Sequence, residues 1–176
     1  MNPITQAIEN DSIAKMKSLL KEGADLNKPI LIGEEYDLDE YDDIFPLFYA
    51  IRKYASIEML ELFIENGVDL MHTDSEGVSA LDMAIKFKRK EIIQFCIDKG
   101  FSLNSTKRKS GITPVMLAAC FSDESLMELL LANGGDVNTV DKSGMSAKDY
   151  AKKLGQKKMV EFLDSKGAKF SAYPNE

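Results

Sequence analysis

Short clusters of apolar residues recur along the chain, and most of them are followed closely by a glycine. The clearest stretch begins at Thr113-Pro114, where the threonine can cap a helix and proline suits the first helical position because its missing N–H would be unpaired there. A second apolar run, 126–131, predicts another helix that stops at Gly134, a residue that adopts the left-handed conformation common after a helix. The stretch therefore predicts a helix–turn–helix followed by an extended Asp-Val-Asn segment.

The same pattern returns at a nearly constant interval. The glycines that follow the predicted second helices are separated by 44, 33, 34 and 33 residues: Gly23, Gly67, Gly100, Gly134 and Gly167. The alanines of the predicted first helices are separated by 43, 34, 34 and 33 residues: Ala7, Ala50, Ala84, Ala118 and Ala151. We expect a small side chain there because the two helices of a unit touch.

The unit resembles the ankyrin repeat, and Thr113-Pro114 followed by Ala118-Ala119 and a run of leucines carries the resemblance. The resemblance implies an all-α fold, an ankyrin-repeat solenoid of stacked helix–turn–helix units with hairpin-like loops. We interpret residues 1–176 as a single domain. Its expected repeats are about 2–28, 42–73, 74–106, 108–140 and 141–170. Repeat two is expected to carry one extra residue near Tyr54 in its helix–helix turn.

An acidic insertion, residues 29–43, separates repeats one and two, and we predict a long loop on the hairpin edge. Its carboxylates and tyrosines are candidate partner-binding residues: Glu34, Glu35, Tyr36, Asp37, Asp39, Glu40, Tyr41, Asp42 and Asp43. Three interpretations stay open: a solvated acidic loop, recognition of a basic partner in which tyrosine adds contact area, and binding of a hard cation by alternating carboxylates. The cation interpretation is weakened because the segment lacks the glycine and terminal glutamate of an EF-hand loop.

The resemblance also implies where partners dock: on hairpin tips and on the exposed end of each first helix. Aligning the repeats gives further candidate partner-binding residues: Arg52, Glu76, Val78, Lys86, Phe87, Lys109, Ile112, Phe121, Met145, Lys153 and Leu154. Phe87, Phe121 and Leu154 stand at one repeated position and are either exposed or packed on one another. A composite surface of this stripe and the acidic insertion is the hypothesis.

Charge and motif content narrow the function further. The net charge of −7 argues against generic binding to nucleic acid or anionic membranes. Residues 1–85 carry 18 acidic and 6 basic side chains, whereas residues 86–176 carry 11 and 16, so the chain is polarised from end to end. The two cysteines, Cys96 and Cys120, do not form a disulfide framework, and a cytoplasmic location is expected. His72, the single histidine, lies in a predicted surface loop without a catalytic motif.

Together these observations predict a non-catalytic protein–protein interaction module, monomeric and without cofactors, that binds a basic protein partner through its concave face and acidic insertion. Two alternatives stay open. One is an immunity or antitoxin-type inhibitor of a bacterial toxin, an analogy that the acidic, tyrosine-bearing insertion favours. The other is a metal-responsive regulator that uses the carboxylates of the insertion. Repeat folds serve many partners, so the fold alone fixes no pathway.

Overall fold

Each repeat consists of a seven-residue helix followed by a nine-residue helix in the computed structural model, which describes residues 2–32 and 42–172. Two short strands precede the third helix. The elements in chain order are α1 (Pro3–Glu9), α2 (Ile13–Lys21), β1 (Ile30–Ile32), β2 (Asp42–Ile44), α3 (Pro46–Arg52), α4 (Ile57–Glu65), α5 (Ala80–Lys86), α6 (Lys90–Asp98), α7 (Pro114–Cys120), α8 (Glu124–Ala132), α9 (Ala147–Lys153) and α10 (Lys157–Ser165). The all-α prediction is confirmed.

The first helices begin where the sequence predicts. The Thr113 side chain accepts a hydrogen bond from the Met116 amide at 3.4 Å, and Pro114 is the first residue of α7. Repeats three and five use a different device, in which Ser79 and Ser146 each form a capping box with an aspartate three residues later. Both devices satisfy amide groups that have no partner inside the helix.

Each second helix ends two residues before one of the five predicted glycines. All five have φ between 77° and 94°, and a side chain at these angles would clash with the following carbonyl group. The five alanines of the first helices are at most 1% exposed, as expected for a contact between the helices of a unit. The turn between α3 and α4 has four residues where the other repeats have three, which confirms the extra residue near Tyr54.

Helices and strands cluster into two compact units, Met1–His72 and Thr73–Glu176. In the first unit α1 packs on α3, α2 packs on α4, and the side chains buried between them include Ile8, Met16, Leu60 and Phe63. A carboxylate of α1 also links this helix to α3. Glu9 accepts a hydrogen bond from the Tyr49 hydroxyl at 2.5 Å and forms an ion pair with the Lys53 ammonium at 2.8 Å. Lys53 and then Tyr49 hold the pKa of Glu9 below its usual range through these hydrogen bonds.

The flanks of the acidic insertion are strands, which corrects the prediction that residues 29–43 form a loop throughout. Strand β1 pairs antiparallel with β2, in the register Ile30 to Ile44 and Ile32 to Asp42. Ile30 is 5% exposed whereas Leu31 is 39% exposed, the alternation of a strand with one buried face. The run of acidic residues made this strand pairing difficult to recognise in the sequence. Residues 33–41 lie outside the described part of the chain.

In the second unit, Thr73–Glu176, the hairpins that precede α5, α7 and α9 follow one another closely. The Lys109 amide donates to the Glu76 carbonyl at 3.0 Å, and the Lys142 amide donates to the Ser110 carbonyl at 3.2 Å. Gly77 is required here, since an added Cβ would lie 2.0 Å from the Lys107 carbonyl oxygen. First helices pack in the same order, α5 on α7 and α7 on α9.

The chain end beyond α10 is docked through residue 172. The Asp149 carboxylate accepts hydrogen bonds from the amides of Ser171 and Ala172 at 3.0 and 3.1 Å. The Phe170 ring lies under the Lys148 ammonium, 4.2 Å from the ring centroid. The first two residues after Phe170 are therefore held by a buried carboxylate. Among the described residues no helix has the length and apolar character needed to cross a membrane.

Candidate protein-interaction surface

In the second unit, the hairpins and the exposed sides of the first helices share one surface, here called the hairpin face. It comprises the hairpins 74–79, 108–113 and 141–146 together with the exposed sides of α5, α7 and α9. The Tyr150 hydroxyl of α9 donates to the Asp141 carboxylate at the base of its hairpin at 2.5 Å. Arg108 of the middle hairpin lies 3.8 Å from the Asp82 carboxylate of α5. These contacts bring hairpin and helix side chains together.

The apolar row consists of Phe87, Phe121 and Leu154, which stand at one repeated position, one at the end of each first helix. Each is the C-cap residue of its helix and is followed by a residue with positive φ that turns the chain towards the second helix. The two phenylalanines are half-buried and Leu154 is 53% exposed. All three side chains therefore retain solvent-accessible surface, whereas a side chain in the core would be fully buried.

Lysines flank this row. Lys86 and Lys153 are exposed, and the Lys86 ammonium lies 5.7 Å from the centroid of the Phe87 ring, a cation–π distance. Lys109 is exposed at the hairpin tip and forms an ion pair with Glu76 at 2.9 Å. Both partners of this pair are two-thirds exposed, so water screens the pair and it adds little stability.

The apolar hairpin candidates differ in exposure. Val78 and Ile112 are half-buried and keep some accessible surface. Met145, at the equivalent position of repeat five, is only 8% exposed and offers almost nothing to a partner. Its amide donates to Asp141 at 2.9 Å, which closes the last hairpin over the side chain.

The remaining candidates belong to the first unit. Arg52 and Asp43 are exposed. Glu34, Glu35, Tyr36, Asp37, Asp39, Glu40 and Tyr41 lie outside the described residues, as does the side chain of Asp42. The composite surface predicted from the sequence, and with it the cation interpretation, stays a prediction.

Arg108 was absent from the candidate residues, and a signal for it was present in the sequence. Aspartates stand at the same hairpin position in repeats three and five, where Asp74 and Asp141 each accept two backbone amides of their own hairpin. An arginine cannot accept such bonds. The Arg108 side chain reaches towards Asp82 instead, on the neighbouring first helix.

Asp82 is an incompletely bonded buried carboxylate. Its Oδ2 accepts from the amide and hydroxyl of Ser79, both at 2.8 Å, whereas its Oδ1 is buried and accepts no hydrogen bond from the described residues. Burial raises the pKa of Asp82, and the Ser79 hydrogen bonds and the Arg108 charge oppose the rise. The carboxylate can therefore accept a further hydrogen bond at Oδ1, close to the hairpin face.

His72 lies outside the helices and strands, in the loop that the sequence predicts, and it is half-buried. Its ring meets that of Phe45 edge-on, with 4.3 Å between centroids, and lines a cavity of about 90 Å³ in the first unit with Leu47 and Val68. The apolar side chain of Phe45, which precedes α3, covers the ring, and adjacent residues in sequence gave no sign of that contact.

Both cysteines are free thiols. Cys96 is fully buried in α6, and burial raises its pKa to about 12. Cys120 is half-buried at the end of α7, and burial raises its pKa to about 11. Within the described residues no three histidine, cysteine or acidic side chains are grouped as a metal site would require.

Comparison with known proteins agrees with this architecture. A family model for ankyrin repeats matches residues 5–107 and 97–173. An ankyrin repeat protein of Rickettsia felis is 30% identical over 138 residues, which are 78% of this chain and 44% of the relative. An ankyrin repeat protein of fowlpox virus is 22% identical over 151 residues, covering 86% of this chain and 74% of the relative. The B-cell lymphoma 3 protein homolog of mouse is 29% identical over 110 residues, covering 62% and 25%.

The chain therefore belongs to the ankyrin repeat family, and its repeats make it a protein–protein interaction module. It spans less than half the length of the Rickettsia and mouse relatives that it matches.

Proposed function

We propose that this chain is a non-catalytic, monomeric module that binds a protein partner through the hairpin face of the second unit and through the acidic insertion. One observation carries the proposal: at one repeated position Leu154 is exposed and Phe87 and Phe121 are only half-buried, with the exposed lysines Lys86 and Lys153 beside two of them. Apolar surface that a soluble chain leaves open at regular intervals is typical of an interaction site. Given the net charge of −7, we do not propose that the module binds nucleic acid or membranes.

The acidic insertion is proposed to meet a basic segment of the partner. Seven of the ten residues from Glu34 to Asp43 are acidic. Such a cluster attracts a basic surface over a screening length of about 10 Å and accelerates encounter more than it slows dissociation. The immunity-type alternative rests on this same cluster and would specify a basic toxin as the partner.

A capture experiment with matched variants tests the proposal. The purified chain is immobilised and exposed to a lysate of the source organism, in parallel with Phe121→Ala, with an insertion variant whose seven acids become Asn or Gln, and with Phe95→Ala. Phe95 is a control because it is a half-buried phenylalanine on α6, a second helix, with Lys99 at a similar cation–π distance of 5.3 Å.

We expect the unmodified chain and Phe95→Ala to capture a specific protein. Capture of that protein should be weaker or absent with the other two variants. Equal retention by all four folded proteins would place the contact elsewhere and contradict the proposal. Identification of the captured protein as a toxin would decide for the immunity-type alternative.

A further inference from the structure

We propose that the hairpin face of repeats three to five binds an acidic segment of the protein partner, with a carboxylate of that segment bound to Arg108. This inference rests on the proposed function and deepens it. The sequence predicts a basic partner segment for the acidic insertion, whereas the charges of the hairpin face call for the opposite sign. The partner would present segments of both signs.

The charge balance of the hairpin face favours an acidic segment. The exposed hairpin and helix ends of this face carry Lys86, Lys142 and Lys153, and also Lys109, which is paired with Glu76. Its carboxylates are already engaged or covered. Asp82 and Asp141 are buried, Asp74 accepts two amides of its own hairpin, and Glu76 pairs with Lys109. The charge presented to an approaching partner is therefore positive, although the whole chain is negative.

The bonding of Arg108 also favours an acidic segment. A guanidinium has five N–H donors, and within the described residues the Arg108 side chain donates no hydrogen bond and has one ionic contact, the 3.8 Å approach to Asp82. The side chain is about one quarter exposed, so an incoming group can reach it. A carboxylate is the group that satisfies a guanidinium best, through two parallel hydrogen bonds.

The position of Arg108 adds to this. It belongs to the middle hairpin, which is hydrogen-bonded to the hairpin on either side through the Lys109 and Lys142 amides. It is thus central to the face, with the lysines around it. A short acidic segment lying across the three repeats would meet Arg108 at its middle and lysines on either side.

The apolar row favours a protein segment over a nucleic acid. Phe87, Phe121 and Leu154 alternate with the cations and offer contact area to apolar side chains placed between acidic residues. A phosphate backbone would gain from the lysines but has no apolar side chains to place against this row. We therefore commit to an acidic, apolar-containing peptide segment.

The test uses fluorescence anisotropy with three labelled probes: a twelve-residue peptide that repeats Glu-Leu-Asp-Phe, the same peptide with lysine in place of each acid, and a twelve-nucleotide oligothymidine. Three variants accompany the unmodified chain: Lys86→Glu with Lys153→Glu, Arg108→Lys, and the control Lys157→Glu with Lys158→Glu. The control makes the same change in net charge with two exposed lysines of α10, a second helix. Thermal unfolding confirms that each variant is folded.

We expect the acidic peptide to bind at least about tenfold more tightly than either other probe, and more weakly as salt rises. Lys86→Glu with Lys153→Glu should weaken it by at least about tenfold, and the control by less than about twofold. Arg108→Lys keeps the charge but loses the planar pair of donors, so it should weaken binding by about three- to tenfold.

Three results would overturn the inference: no preference for the acidic peptide, equal loss in the control variant, or tighter binding of the oligothymidine. These failures are separable from failure of the proposed function. If capture of the partner still depends on Phe121, the proposed interaction surface stands. Only the proposal of an acidic partner segment is then wrong.

Discussion

Asp82 and Asp149 occupy the same position in repeats three and five, yet their surroundings drive their pKa values in opposite directions. Each is the third residue of a first helix and accepts the amide and hydroxyl of the capping serine. Asp149 additionally accepts the amides of Ser171 and Ala172. Burial raises the pKa of Asp82. Burial alone would raise that of Asp149 too, but its hydrogen bonds, led by the Ser146 and Ala172 amides, outweigh burial and lower it.

The first prediction compares Asp149→Asn with Asp82→Asn. An acid whose folded pKa is depressed contributes stability above its unfolded pKa of about 4, and that stability is lost as pH falls through the folded value. Asp149→Asn should lower the free energy of unfolding at neutral pH by about 1–3 kcal/mol, because charged hydrogen bonds are lost. Asp82→Asn should cost less, since it also removes a charge that burial disfavours.

Urea unfolding at pH 7 and near pH 3 measures both effects. The difference between the unmodified chain and Asp149→Asn should shrink at the lower pH, because the carboxyl group is then becoming protonated. Equal losses for the two variants at neutral pH, or a larger Asp149→Asn effect in acid, would show that the tail amides do not control this carboxylate.

A second prediction separates hairpin stacking from backbone strain. Gly77 and Gly144 are equivalent hairpin glycines with φ of 79° and 77°, so alanine strains the backbone equally at both, by about 1 kcal/mol. Only at Gly77 would the new Cβ meet a neighbouring hairpin, at the Lys107 carbonyl oxygen. Gly77→Ala should therefore cost at least about 2 kcal/mol more than Gly144→Ala. Similar unfolding free energies for the two variants would mean that the hairpins do not pack as described.

The third prediction concerns the order of thiol modification. Cys120 is half-buried and Cys96 is fully buried, so a thiol reagent should modify Cys120 first in the native chain. Both pKa values are raised by burial, to about 11 and about 12, so little thiolate exists at neutral pH. Labelling of Cys120 should be slow and accelerate about tenfold per pH unit in the alkaline range. Mass spectrometry of partly labelled protein gives the order, and earlier modification of Cys96 would contradict the helix phase of repeats three and four.

The repeat fold could be predicted from sequence because its determinants are local. Glycine after a helix and alanine at a tight helix contact recur at a nearly constant interval, as at Gly134 and Ala118, and proline marks some of the helix starts, as at Pro114. The exposure of Phe87 and Phe121 could not be decided this way. It depends on how neighbouring repeats stack, and a C-cap residue has no periodic partner that reveals its surroundings.

Contacts between segments far apart in the chain were not predicted from the sequence. Asp149 holds Ser171 and Ala172, and Arg108 reaches Asp82, pairs separated by more than 20 residues. Arg108 was detectable only as the residue that breaks an aspartate pattern. Strands β1 and β2 were missed for a related reason, since three-residue strands are too short for alternation to stand out beside a run of acids.

Dissociation kinetics of the captured partner test the central claim, that the hairpin face of the second unit is the binding surface. Surface-based kinetics would compare the unmodified chain with Phe121→Ala and Phe95→Ala at two salt concentrations. The account predicts that Phe121→Ala raises the off-rate by about ten- to a hundredfold, as loss of a hot spot of about 2 kcal/mol would, with little change in the on-rate. Phe95→Ala should leave both rates unchanged. An off-rate unaffected by Phe121→Ala, or raised as much by Phe95→Ala, would contradict the claim.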